Sequence, residues 1–263
     1  MIYTCYEMIR DCRAGRAEGW CYFVASYVPV IRKLLAHYQP GGPEKATLER
    51  VLLAAHQPES SLFQSVEPSP ERWFVAQLRQ KVIFELPSET PAATIDLETV
   101  SAALEPLTLV EKQVAWLETM LYQPAEIGVH LRMAPTTAEK IRGKVADLVR
   151  GKVDSWSRTL LAENSRELGL SAVAAAGPDC LPPKTFLDML DGRTTWRGRE
   201  ELERHVTRCW HCIDHFCRLV EVVEVLRGNQ PLAEAEAAPL CELLGVAPAK
   251  SPMWKRWLAG RSG

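Results

Sequence analysis

Four residues in the last third of the chain constrain its fold most, because their side chains are typical metal ligands at regular spacings. They are Cys180, His205, Cys209 and Cys212. His205 lies four residues before Cys209, which lies three residues before Cys212. At a helix end, residues at these spacings share one side, so three ligand atoms converge there. Cys180 lies in a separate segment of the chain, and its side chain must approach the other three to complete a tetrahedral set of ligands.

This donor set predicts a closed zinc site. Thiolate sulfur and imidazole nitrogen are the usual donors to Zn²⁺, and four protein ligands leave no position for water, so the site is expected to be structural and not hydrolytic. The residues alone leave two alternatives open. The cysteines are also compatible with ordinary thiols on an apolar helix, and His211, His215 and Cys217 are close enough to replace one of the four ligands.

Composition indicates a folded protein of the cell interior. The 263 residues are 47% hydrophobic, which excludes general disorder and allows about two domains. The N-terminus lacks a basic start followed by an apolar run, and the longest apolar stretch, 20–31, is too short and interrupted to cross a bilayer. We therefore expect a cytoplasmic protein with no membrane partner. There, clustered cysteines indicate metal binding, and Cys5, Cys12 and Cys21 are expected to be buried thiols.

Apolar residues recur at spacings of three and four, with no convincing strand pattern, so the sequence predicts an all-α fold. Two packed helices are expected before the break at 39–43, a third around 48–55 and a fourth around 73–83. Together they predict one helical domain over 1–86. The polar, acidic segment 87–106 is predicted to be a linker.

The next segment predicts a helix-turn-helix. A supporting helix over 109–121 and a short helix over 125–131 precede a turn at 132–135. A longer helix then opens at Thr136, which forms a capping-box pattern with Glu139. Its inner face is expected to contain Ala138, Ile141, Val145 and Leu148. Its outer face is expected to contain Thr137, Lys140, Arg142 and Lys144.

The stretch 132–158 is locally basic, with seven Lys or Arg residues against three acidic ones. A tight helix pair that is apolar inside and cationic outside suits the DNA major groove, where cations set affinity and residues near the helix start read bases. The predicted DNA contacts are Arg132, Thr136, Thr137, Lys140, Arg142 and Lys144. Two alternatives to DNA binding remain: the basic face is only solvated, or the helical hairpin only packs within the protein or binds another protein.

Segments 107–114 and 126–133, followed by Thr137 and Ala138, resemble region 4 of the extracytoplasmic-function sigma factors of bacterial RNA polymerase, which reads promoters. The N-terminal segment 7–15 is similar to region 2 of that family, as are the aromatic and apolar residues that follow it. These are Trp20, Phe23, Tyr27, Pro29 and Ile31. The resemblance implies promoter DNA and core RNA polymerase as partners, with region 2 binding the polymerase and opening the promoter.

The segment around the metal ligands resembles the zinc-binding anti-sigma domain, in which a Cys or His precedes a His-x-x-x-Cys-x-x-Cys motif by about this distance. Here Cys180 lies 25 residues before His205. The resulting domain organisation is a region 4-like domain at 107–160, a linker at 161–178, a zinc domain at 179–227 and a tail at 228–263. Segment 46–52 departs from the acidic polymerase-binding helix of the family.

Two functions follow as hypotheses. The first is a sigma factor whose fused zinc domain restrains or positions the DNA-binding domains, so that metal loss or thiol oxidation, with Cys217 as a resolving partner, changes transcription. The second is a sigma-derived regulator that binds a sigma factor, an anti-sigma factor, polymerase or DNA without initiating. We do not expect an enzyme, because the sequence shows no Gly-rich phosphate loop and no open metal position.

Overall fold

The computed structural model describes residues 3–64, 71–86, 104–150 and 165–246. Over these ranges it contains twelve α-helices, one short 3₁₀ helix at Ser61–Phe63 and no strand, which confirms the all-α prediction. None of the described helices is both long enough and apolar enough to span a membrane.

The chain forms two compact units. The first comprises Met1–Pro87 with Val225–Gly263, and the second comprises Ser88–Glu224. In the first unit the described helices are α1 (Cys5–Arg13), α2 (Ala17–Tyr38), α3 (Glu44–His56), α4 (Glu71–Glu85) and α12 (Glu234–Leu243). The four helices predicted before residue 86 are therefore present.

Helix α2 is the centre of the first unit, because its apolar residues are buried on several sides. Phe23, Val24 and Val28 are fully buried along its length. Gly19 lets α1 approach closely, since a Cβ atom there would lie 2.6 Å from the backbone nitrogen of Cys12. A capping box formed by Thr4 and Glu7 starts α1. Cys12 is buried as expected, but the residues Cys5 and Cys21 are only partly buried.

Residues of the predicted tail, 228–263, pack against α2 of the first unit. The amide of Leu232 donates to the carbonyl of Ala25 at 2.8 Å, and the Asn229 side chain donates to the carbonyl of Ser26 at 2.9 Å. Helix α12 then packs against α2. Helix α12 lies within the segment 228–263 that the sequence predicted as a tail, of which residues 247–263 are outside the described ranges.

The second unit carries both sequence-predicted sites. Its helices are α5 (Leu109–Thr119), α6 (Pro124–Leu131), α7 (Pro135–Arg150), α8 (Ser165–Ala174), α9 (Pro183–Leu190), α10 (Trp196–Val206) and most of α11 (Trp210–Leu226). The three helices of the predicted helix-turn-helix are α5, α6 and α7. Helix α8 occupies part of the segment 161–178 that the sequence predicted as a linker. Of the predicted linker 87–106, residues 87–103 are outside the description.

The predicted capping box at Thr136 is wrong. Helix α7 already begins at Pro135, so Thr136 lies inside its first turn and is not the N-cap. Proline is favourable at the first helical position because its fixed φ suits the helix. The N–H that proline lacks would have no partner within the helix at this position. The tight turn before it forms with Arg132 in the left-handed region, at φ 54°.

Candidate metal centre and nucleic-acid interface

The junction between α10 and α11 supplies three of the four predicted ligands. His205 lies in the last turn of α10, Cys209 in the short connection after Thr207, and Cys212 in the first turn of α11. Cys180 comes from the turn that precedes α9. The sequence expectation of a helix end at this motif is confirmed, and the return of Cys180 from a separate segment is observed.

The four side chains form a compact cluster that could hold a metal ion. Their ligand atoms, three sulfurs and one imidazole nitrogen, all lie within 4.8 Å of one another. The Sγ atoms of Cys180 and Cys209 are 3.7 Å apart, and Nε2 of His205 lies 3.1 Å from Sγ of Cys212. Tetrahedral bonds of about 2.3 Å between zinc and sulfur place sulfurs about 3.8 Å apart. The Cys180–Cys209 distance agrees with this value, and the four ligand atoms together, all within 4.8 Å of one another, are close enough for one ion to bind them after local adjustment.

Burial of the sulfurs disfavours their thiolate form unless a cation is close. Burial is the main cause that raises the pKa of the Cys209 and Cys212 thiols, and Cys180 raises both further, whereas the hydrogen bond with Cys212 lowers the pKa of Cys209. A backbone hydrogen bond from Leu181 acts against this effect at Cys212 and lowers its pKa. The Gly177 amide lies 3.2 Å from Sγ of Cys180. A divalent cation would stabilise the thiolate form of these sulfurs over the thiol form, so metal binding would release protons.

The competing ligands lie outside this cluster. His211 places Nδ1 at 3.1 Å from the carbonyl oxygen of Ala172. His215 stacks on Phe186 with ring centroids 5.0 Å apart, and burial lowers its pKa to about 3. Cys217 is fully buried on α11. Among the described residues, Cys180, His205, Cys209 and Cys212 form the one group of this kind.

The predicted DNA-facing surface is formed by the turn before α7 and the first turns of that helix. Arg132, Thr136, Thr137 and Lys140 are all exposed, while Ala138 behind them is fully buried. Val145 is also buried, whereas Ile141 and Leu148 are partly exposed at the edge of the inner face. The pair α6 and α7 therefore presents a polar and cationic surface on an apolar base, as a groove-binding helix requires.

Two of the six predicted contacts are engaged within the protein. Arg142 donates to Glu118 at 2.9 Å and its side chain is only 15% exposed, so the expectation that it faces solvent is wrong. Lys144 is 58% exposed, but its ammonium donates to Glu111 at 2.6 Å. The periodicity of α7 could not predict these two ion pairs, because both carboxylates are on α5. The one indication in the sequence was that Glu111 and Glu118 are seven residues apart and so lie on one face of α5.

Sequence reasoning also missed Lys112, whose ammonium donates to the carbonyl oxygen of Thr207 at 2.6 Å. Lys112 is nearly fully buried, and this burial lowers its pKa. It contacts the connection between His205 and Cys209. The sequence could have indicated that Lys112 is buried, because it lies on the same face of α5 as the buried residues Leu109 and Trp116.

No family model matches the sequence, and the comparisons with curated proteins and with solved structures give no match.

Proposed function

We propose that the protein is a transcription initiation factor of the sigma type, which reads promoter DNA through α6 and α7 and contains one structural zinc ion. The observation that carries this proposal is the surface formed by Arg132, Thr136, Thr137 and Lys140. These four side chains are exposed together, while Ala138 and Val145 on the apolar side of α7 are buried. Helix positions near the start of a recognition helix contact bases, and the cations neutralise phosphates.

The zinc ion would act as a closed centre. Three sulfurs and one imidazole satisfy its four positions, so the ion would supply folding free energy to the α10–α11 junction and would not activate water. An initiating role in bacteria would place the protein in the cytoplasm, with core RNA polymerase and promoter DNA as partners. These assignments rest on the resemblance of the sequence to the sigma family.

A second candidate is a sigma-derived regulator that binds DNA, polymerase, another sigma factor or an anti-sigma factor without initiating. One observation in the first unit favours it. Strand opening requires accessible aromatic and basic side chains, but Arg79 on α4 is buried and donates to the hydroxyl of Tyr38 at 2.6 Å. Lys81 on the same helix forms an ion pair with Glu85 at 3.5 Å. Arg72 and Trp73 on the same helix are partly exposed.

Run-off transcription with core RNA polymerase separates the two candidates. DNA fragments that the protein retains from a random pool would serve as templates, and transcripts would be mapped to their start points. Initiation at defined positions supports the sigma factor. Retention of DNA or polymerase without transcripts supports the regulator. If the protein retains neither DNA nor polymerase, the sigma factor is excluded, and the regulator fails as well if the protein also does not bind another sigma factor or an anti-sigma factor.

A further inference from the structure

Helix α5 of the helix-turn-helix is bonded to the metal-ligand segment by buried polar groups. Lys112 donates to the carbonyl of Thr207, the residue midway between His205 and Cys209. One turn later, Nε1 of Trp116 donates to Oδ1 of Asp214 at 3.1 Å. Three residues after the end of α5, the hydroxyl of Tyr122 donates to the carboxylate of Glu221 at 2.5 Å.

These bonds are costly to break because almost all of the groups are removed from water. Glu221 is fully buried, and the residues Asp214 and Lys112 are 1% and 5% exposed. A buried polar group that loses its partner costs about 1–3 kcal/mol, and more when it is charged. The indole of Trp116 also packs on Trp210, with ring centroids 5.0 Å apart. Separating α5 from α11 would therefore expose apolar surface and leave several charges unpaired.

Lys112 has a specific place in this arrangement. Thr207 is the C-cap residue of α10, and the last carbonyl groups at this end of a helix lack partners within the helix. A cation at that position satisfies a carbonyl and interacts favourably with the helix dipole. The Lys112 ammonium thus fixes the backbone that leads from His205 to Cys209.

We propose that the Cys180, His205, Cys209 and Cys212 cluster and the helix-turn-helix form one cooperative unit, with Lys112 as the positioning residue that links them. Metal binding at the cluster fixes the α10–α11 junction, and this stabilises α5 and the helices α6 and α7 that pack with it. The zinc segment is then part of the core of the DNA-reading domain and not a separable inhibitory module. The link to DNA reading rests on the proposed function, while the structural coupling does not.

The first test is the zinc affinity of a Lys112→Met variant, measured by competition with a chromophoric chelator. Methionine keeps an unbranched side chain of similar length but cannot donate to Thr207. We expect the affinity to fall about tenfold or more, because residues that orient metal ligands typically contribute 10–100-fold. The matched control is Lys45→Met, since Lys45 is an exposed lysine of α3 in the other unit. A Lys112→Met protein with wild-type zinc affinity would overturn the role of Lys112.

The second test needs no variant, so it remains informative if Lys112→Met does not fold. Amide hydrogen exchange of the full chain would be followed with zinc and after its removal by a chelator. We expect zinc to slow exchange at least tenfold in α5 and in α6 and α7, in addition to residues 180–212. Protection confined to residues 180–212 would overturn the proposal. Neither test includes DNA or polymerase, so failure of the proposed function leaves both results interpretable.

Discussion

The indole of Trp116 in α5 donates to the carboxylate of Asp214 in α11 across 98 residues of sequence. The other carboxylate oxygen of Asp214 lies 2.8 Å from Nε of Arg218, and both of these side chains are at most 5% exposed. A buried ion pair is not by itself a source of stability, but removing one of its partners is strongly destabilising. Trp116 and Arg218 therefore each contact one oxygen of this buried carboxylate.

The first prediction concerns this bond. Trp116→Phe keeps an aromatic ring but removes the donor, so Asp214 loses a hydrogen bond in a buried position. We expect the free energy of unfolding to fall by about 1–3 kcal/mol, measured by urea denaturation. Trp196→Phe is the matched control, because Trp196 is 82% exposed and should change stability by less than about 0.5 kcal/mol. Equal effects of the two substitutions would contradict the buried bond.

The second prediction concerns the turn between α6 and α7. A Cβ atom on Gly128 would lie 2.9 Å from the carbonyl oxygen of Met133, so Gly128→Ala should force the turn open. We expect a loss of about 1–3 kcal/mol in the free energy of unfolding. Gly143 in α7 has open space around it, so Gly143→Ala should instead stabilise by about 0.5–1 kcal/mol. Thermal unfolding would compare the two, and a stabilising Gly128→Ala would refute this packing.

The third prediction concerns pH. Burial lowers the pKa of His215 from 6.5 to about 3 in the folded protein. In the unfolded chain His215 takes up a proton as the pH falls below 6.5, whereas the folded form stays neutral until near pH 3. The contribution of His215 to the free energy of unfolding is therefore fully present above pH 6.5 and is lost progressively as the pH falls to 3. About 2 kcal/mol of it is lost by pH 5.

This loss can be isolated by comparing metal-free wild type with metal-free His215→Phe in urea at pH 8 and pH 5. Phenylalanine fits the aromatic surroundings of Phe186 and Phe216 and has no proton to gain. We expect the variant to lose about 2 kcal/mol less than wild type between the two pH values. Identical losses would show that His215 is not held in its neutral form.

The fourth prediction concerns the proposed DNA surface. Lys140→Gln removes one exposed cation from α7, so duplex affinity should fall similarly for all sequences. The slope of log affinity against log salt concentration should become shallower by about 1. Lys45→Gln should leave this slope unchanged. Fluorescence anisotropy over a range of salt concentrations would measure both, and an unchanged slope for Lys140→Gln would exclude a phosphate contact at this position.

Local patterns predicted helices α1 to α7 and the four residues of the Cys/His cluster, but not α8, which lies in a segment predicted as a linker. Helix periodicity located α1 to α7 because their apolar residues recur at spacings of three and four, and the spacing of His205, Cys209 and Cys212 predicted a helix end. The pairing of α5 with α11 was not predictable in the same way. Lys112, Asp214 and Glu221 look like ordinary surface residues in sequence, and only long-range packing turns them into buried, bonded groups. The same reason explains why Arg142, which joins Glu118 of α5, was expected to face solvent.

The most direct test of the account is the zinc content of the purified chain and of four single variants, measured by elemental mass spectrometry against protein concentration. We expect one zinc per wild-type chain, loss of zinc in Cys209→Ser and Cys212→Ser, and retention in His211→Gln and Cys217→Ala. The last two are changes at two of the three neighbouring residues that sequence alone left as alternative ligands. A wild-type chain without zinc, or loss of zinc in His211→Gln or Cys217→Ala instead of the cysteine variants, would contradict the cluster described above.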